Sequence, residues 1–171
     1  DQAAHLQPEM KRVGTVFTPA EINSVTYKDH LAEAARECGI ELIAAPANTA
    51  TEVLDAANSL VAKGIEAFCQ ISDNLTSSSG SAIMKVSLDN KIPFYGFVSN
   101  LMKQGALAVC ARDYFQAGYE AGLMGVEVLA GKDPAQIPYH CVSKTDYFIN
   151  PEVARKFRIR VNDKIFTDFP Q

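Results

Sequence analysis

No stretch of this sequence is apolar for long enough to cross a membrane. The longest apolar runs, residues 40–46 and 67–71, fall far short of the ~20 residues that a membrane-spanning helix needs. Basic residues are not clustered either, since 16 Lys and Arg are interleaved with 20 Asp and Glu and the formal net charge is −4. The sequence therefore lacks the basic surface that binding to a nucleic acid requires.

The four cysteines have no metal-binding or redox spacing. Cys38, Cys69, Cys110 and Cys141 are widely separated, and none of them forms a CxxC pair. We therefore predict no metal site and no cofactor. Each cysteine lies in an apolar pattern, where a free thiol behaves as a small buried hydrophobic side chain.

The segments that are present alternate between strands and helices. With 47% apolar and 21% charged residues, the 171-residue chain has the composition of a globular domain with one core. Strands are predicted at residues 12–17, 40–45, 67–71, 94–97 and 106–111, with helices between them and a long helix at 114–129. Crossover helices of this length favour parallel pairing with helices on both faces. The predicted fold is α/β, a doubly wound parallel five-stranded sheet with strand order 2-1-3-4-5.

This strand order makes one disulfide impossible. Cys69 on the third strand and Cys110 on the fifth have the fourth strand between them, about 9.6 Å in total. Such a gap is too wide for a disulfide.

The predicted alternation of strands and helices divides the chain into three parts. Residues 1–10 are interpreted as a leading segment or an artificial boundary, and residues 11–131 as the α/β lobe. Residues 132–171 are interpreted as a C-terminal segment with short extended runs at 139–142 and 147–149. Pro151 opens a small helix there, and residues 158–171 show no clear period.

In a parallel sheet of this kind, ligands bind beyond the carboxyl ends of the strands. The loops at residues 18–24, 72–76, 98–101 and 112–114 are predicted to meet at that edge. Asn23 and Ser24 begin a helix, whose free N–H groups and positive dipole end attract an anion. Asp73, Asn74 and Asp113 follow strands three and five, and an amine could lie between the two acids. The alternative is that these residues only cap helices.

Residues for catalysis are scarce in these loops. His5, His30 and His140 all lie elsewhere, so a general base is missing. The segment 76–80 is rich in serine, but it lacks the GxxxxGK[ST] pattern of a phosphate-binding loop. We therefore predict that the protein is not an enzyme.

Several blocks of sequence resemble one family. Residues 11–17, 23–25 and 40–42 are similar to the opening of the second lobe in ABC transporter substrate-binding proteins of the tryptophan or aromatic amino-acid type. Residues 71–74 resemble the Thr-Asp-Asn motif of that family, residues 91–94 its fourth strand, residues 105–108 its fifth strand, and residues 113–118 its Asp-Tyr-x-x-x-Gly turn. The resemblance covers about residues 11–157. It departs at Ile71 and Ser72, where Pro-Thr is usual, and at residues 97–100.

The resemblance implies a type I periplasmic-binding-protein lobe, here the C-terminal one of two that close on a solute. By position, the ligand-binding residues would be Asn23, Ser24, Asp73, Asn74, Phe97, Asp113 and Tyr114, with the two aromatic rings packing on an apolar part of the solute. The implied partners are a small solute such as an amino acid, an ABC permease in the membrane and the missing N-terminal lobe.

The implied location is periplasmic or extracellular, with the parent protein anchored to the membrane as a lipoprotein. Apolar residues on helix 114–129, such as Leu123, Met124 or Val128, would be exposed without the other lobe, and a dimer of this lobe through them is an open possibility. An extracellular sensor domain of the same fold, and a small flavodoxin-like hydrolase, are the alternatives.

Overall fold

A computed structural model describes residues 6–161 and the backbone of residues 167–168. The strands are β1 (Arg12–Phe17), β2 (Glu41–Pro46), β3 (Ala67–Cys69), β4 (Phe94–Gly96), β5 (Ala108–Arg112), β6 (Thr145–Ile149) and β7 (Thr167–Asp168). The helices are α1 (Ile22–Glu37), α2 (Ala50–Ala62), α3 (Asn74–Ser78), α4 (Gly80–Asn90), α5 (Leu101–Gln104), α6 (Tyr114–Leu129) and α7 (Pro151–Phe157). A 3-10 helix spans Pro134–Gln136.

The strands form one sheet in the order β2-β1-β3-β4-β5-β6-β7. The first five are parallel and have the predicted order 2-1-3-4-5, which confirms the fold class. The sheet has two strands more than predicted, because β6 pairs antiparallel with β5 and β7 pairs parallel with β6. The returning segment thereby covers β5, which would otherwise be an exposed edge.

Apolar side chains fill both faces of the sheet. On one face, Phe68 and Phe94 stack with ring centroids 6.4 Å apart, in the same cluster as Leu60 of α2. On the other face, Val13 and Leu107 pack in a cluster that includes α7. Helices therefore cover the sheet on both sides, which explains why its strands are apolar throughout rather than alternating.

The start of α1 differs from the sequence prediction. The residue preceding α1 is Glu21 rather than Asn23 or Ser24. Helix α2 begins after Thr49, whose side chain accepts a hydrogen bond from the N–H of Glu52. Gly39 follows the end of α1 with a φ of 69°, a left-handed conformation that suits glycine.

No disulfide joins Cys69 and Cys110, as predicted. The expectation that all four cysteines are buried is wrong for Cys38 and Cys141, which are exposed. Each of these two lies beyond the end of an element, outside the layers that cover the sheet.

The terminal segments are only partly described. Leu6 and Met10 are buried in the cluster that contains α7. Residues 1–5, 162–166 and 169–171 lie outside the described residues, so the predicted irregular tail and the boundaries at residues 10 and 131 stay predictions. Within residues 6–161 and 167–168, no helix is both long and apolar enough to span a membrane.

Candidate functional site

The loops that follow β1 and β3 touch at the carboxyl edge of the sheet, as predicted. Asn23, in the first turn of α1, is exposed, and its side-chain amide donates a hydrogen bond of 3.0 Å to the backbone oxygen of Ser72. Ser24, the next residue, is fully buried and points to the same loop. Four predicted site residues, from Asn23 and Ser24 to Asp73 and Asn74, therefore belong to one contiguous cluster.

Asp73 lies at the centre of this cluster and is 3% exposed. Its Oδ2 accepts hydrogen bonds from the hydroxyls of Ser24 at 2.7 Å and Thr18 at 3.3 Å. Its Oδ1 accepts from the N–H of Thr76 at 2.5 Å and from the hydroxyl of Thr76 at 2.6 Å. Both oxygens are thus engaged inside the protein, which agrees with the alternative that Asp73 caps α3. Contact of Asp73 or Ser24 with a ligand stays a prediction.

The start of α3 is occupied by a carboxylate of the chain itself. Glu21 accepts hydrogen bonds from the N–H of Asn74 at 2.9 Å, from the side-chain amide of Asn74 at 3.0 Å and from the N–H of Leu75 at 3.3 Å. A negative charge at a helix start is favourable. Because Glu21 also precedes α1, it places this charge beside the helix start that we expected to attract an anion.

Asp113 is engaged in a similar way at the start of α6. Its Oδ1 accepts from the N–H of Gln116 at 3.0 Å, and its Oδ2 pairs with the Nζ of Lys144 at 2.7 Å. The hydrogen bond from Lys144 holds the pKa of the Asp113 carboxyl below its ordinary value. Neither Asp73 nor Asp113 therefore presents a carboxylate without a partner, and the amine position proposed between them stays a prediction.

We expect Lys144→Met to raise the pKa of Asp113 toward its ordinary value, since the largest cause of its lowering is removed. NMR titration of the Asp113 carboxyl measures this, and Lys132→Met is the control because Lys132 pairs with Glu127 instead. The folded-state pKa is depressed, so the contribution of Asp113 to stability is present above its unfolded pKa. That contribution disappears as the pH falls through the folded-state pKa. An unchanged Asp113 pKa in Lys144→Met would contradict the assigned cause.

A cavity of about 490 Å³ opens at the carboxyl edge, between α1 and strands β3 to β6. Its wall includes Phe97 and Tyr114, the two aromatic residues that we predicted for the site. Tyr27 of α1 and Tyr147 of β6 add two more rings. An apolar cavity with few polar groups is typical of small-molecule sites.

Two polar side chains of this wall stand out. The Oε1 of Gln70 is buried and has no hydrogen-bond partner among the described residues. Arg112, the last residue of β5, lines the cavity, and no described residue pairs with its guanidinium. A buried acceptor without a donor costs about 1–3 kcal/mol.

The sequence analysis missed the cavity residues Tyr27, Gln70, Arg112 and Tyr147. Arg112 could have been predicted from the sequence, because it ends an apolar strand at the predicted ligand edge. Tyr147 could not have been predicted, since its position depends on the antiparallel pairing of β6 with β5. Among the described residues, no group of three or more His, Cys, Asp or Glu could hold a metal ion.

The fold is of the type I periplasmic-binding-protein class. A structure of an ABC domain in complex with L-Trp from Streptococcus pneumoniae superposes with a TM-score of 0.82 at 22% identity, over 97% of this chain and 58% of that one. A ligand-free, open structure of a substrate binding protein with adhesive properties from Clostridium difficile superposes with a TM-score of 0.77 at 27% identity, over 98% of this chain and 57% of that one.

The sequence comparisons agree with this class. The chain belongs to the ABC transporter substrate binding protein family, whose model matches residues 3–169. A tyrosine-binding protein from Clostridioides difficile is 35% identical over 150 residues, which are 88% of this chain and 43% of that protein. The chain thus spans about half the length of these relatives. The family resemblance inferred from the sequence is confirmed.

Proposed function

We propose that this chain is one lobe of a two-lobed solute-binding protein that serves an ABC importer. The observation that carries the proposal is the aromatic cavity at the carboxyl edge of the sheet, in a chain that belongs to a substrate-binding family. In this proposal the second lobe closes over that edge, and the whole protein acts outside the cytoplasm, anchored to the membrane, with a permease as its partner. No observation favours a sensor domain or a hydrolase.

Helix α6 supports a second lobe. It has no buried residue, and large apolar side chains on it are exposed, including Phe115 at 82% and Leu129 at 89%. An apolar surface of this kind is typical of an interface. The partner that we propose for it is the other lobe of the same protein, and a dimer of this lobe is the alternative occupant.

The solute that fits best is a small aromatic amino acid. Phe97, Tyr114, Tyr27 and Tyr147 provide aromatic surface on several sides of the cavity. Aromatic rings pack well against other rings in offset or edge-to-face arrangements. The names of the relatives point the same way, since one is a tyrosine-binding protein and another is in complex with L-Trp.

Binding without turnover is part of the proposal. Cys110 lines the cavity, but burial raises the pKa of its thiol and so disfavours the reactive thiolate. Neither His30 nor His140 lines the cavity, so no described histidine stands there as a base for that thiol. A nucleophile without a base agrees with a binding site rather than with a hydrolase.

The test is calorimetric titration of the full-length protein with the twenty amino acids, together with chromatography of the mixture after incubation. We expect an aromatic amino acid to bind and to be recovered unchanged. We expect Tyr114→Ala to weaken binding about tenfold, since a buried aromatic contact in a binding site is worth on the order of 1–2 kcal/mol.

The matched control is Tyr139→Ala, because Tyr139 is 94% exposed and lies outside the cavity wall. It should leave the affinity unchanged. Absence of binding to any amino acid, or conversion of the ligand to a product, would overturn the proposed function. Equal losses in the two tyrosine variants would remove the cavity from the site.

A further inference from the structure

We propose that Arg112 recognises an anionic group of the solute, so that this site selects aromatic solutes that carry a carboxylate. This inference rests on the proposed function, because it assumes that a solute occupies the cavity beside β5. It assigns to Arg112 a role that the sequence analysis gave to the helix starts.

The position of Arg112 follows from the register of β5 and β6. Side chains two residues apart on a strand share a face, so Arg112 lies on the same side as Cys110, which also lines the cavity. Across the strands, Arg112 is opposite Thr145 and Cys110 is opposite Tyr147. All four residues belong to the cavity wall. The backbone therefore presents the guanidinium along the edge of an aromatic surface.

The charges near the carboxyl edge favour Arg112 over the other anion positions. Glu21 already supplies a negative charge at the starts of α1 and α3. The Lys144 ammonium is paired with Asp113 and lies 3.7 Å from the carboxylate of Asp146. Arg112, by contrast, is a charged residue of the wall that pairs with no described residue. Among the described residues of the cavity wall, Arg112 is the only cationic side chain, so a carboxylate of the solute would pair with its guanidinium.

The chemistry of the two groups fits this pairing. A guanidinium donates two parallel hydrogen bonds to a carboxylate, and these bonds are about twice as strong as neutral ones. The cavity wall thus offers one cation beside aromatic surface. An aromatic solute that carries a carboxylate is the matching solute class.

The experiment compares charged and neutral forms of the same solutes in the full-length protein. Calorimetry gives the affinities of L-tyrosine, L-tryptophan and L-phenylalanine and of their carboxamides, in which the carboxylate charge is removed. We expect the wild-type protein to prefer each acid over its amide by at least about tenfold. In Arg112→Gln, that ratio should fall close to one, and in Arg112→Lys it should be intermediate.

Arg36→Gln is the control, because Arg36 lies in the last turn of α1, outside the cavity wall. It should keep the wild-type ratio. Circular dichroism and urea midpoints of all variants show that they remain folded. If acids bind but Arg112→Gln keeps the wild-type ratio, the assignment of Arg112 is overturned while the proposed function stands. If neither acids nor amides bind the wild-type protein, the proposed function itself fails.

Discussion

Replacing Asp73 with alanine is expected to lower the free energy of unfolding by about 2–4 kcal/mol. The buried carboxylate accepts four hydrogen bonds from Thr18, Ser24 and Thr76. Removing it leaves these donors buried without an acceptor, and each such group costs about 1–3 kcal/mol. Some of the donors would find new partners or water, which keeps the total below the simple sum.

Two further variants make this prediction specific. Asp73→Asn keeps the shape of the side chain, and hydroxyls such as that of Ser24 can rotate to accept a hydrogen bond from the new amide. Its loss of stability should therefore be smaller than that of Asp73→Ala. Asp55→Ala, at an exposed acid of α2, should change the free energy of unfolding by no more than about 0.5 kcal/mol.

Urea denaturation followed by circular dichroism measures all three variants. Equal stability of Asp73→Ala and Asp55→Ala would show that the hydrogen bonds around Asp73 contribute nothing to folding. The comparison also bears on the site, because Asp73 joins the start of α3 to α1. A weaker affinity in Asp73→Asn without a lower stability would mean that the carboxylate contacts the solute as well.

The sequence was sufficient to predict the sheet because its strands and helices carry strong local signals. Apolar runs such as residues 12–17 alternate with helix-forming segments, and parallel pairing follows from the length of the crossovers. Both segments with β6 and β7 are short and have mixed composition. β6 pairs with β5 and β7 pairs with β6, and each partner is distant in the sequence, so periodicity could not predict this pairing.

The site was only partly predictable for a related reason. The rule that ligands bind beyond the carboxyl ends of strands predicted loops that border this cavity, and Phe97 and Tyr114 line it. The sequence does not say which polar side chains are already paired. Asp73 and Asp113 have the same residue type as ligand-binding acids, but Thr76 and Lys144 engage them within the fold.

Helix α6 has one exposed face that combines large apolar side chains with glycines. At 3.6 residues per turn, Phe115, Tyr119 and Val126 lie on the same side, and the glycines of the helix lie beside them. A Cβ atom added at Gly118, Gly122 or Gly125 would meet no atom within 4 Å. Glycine inside a helix costs roughly 0.5–1 kcal/mol relative to alanine. Since no contact among the described residues requires these glycines, close approach of another element is the physical reason that we infer for them.

The exposed face of α6 predicts that one substitution changes the stability of the 171-residue chain much less than that of the full-length protein. Val126 is 61% exposed here, so Val126→Glu in the 171-residue chain should change the free energy of unfolding by no more than about 0.5 kcal/mol and reduce any self-association. In the full-length protein the same change should be destabilising by about 2–3 kcal/mol, because a carboxylate would be buried between lobes. Leu54→Glu, at a 40% exposed residue of α2, should be tolerated in both. Urea denaturation and sedimentation velocity measure these effects. Equal stability changes for Val126→Glu in the two proteins would contradict a second lobe packed on α6.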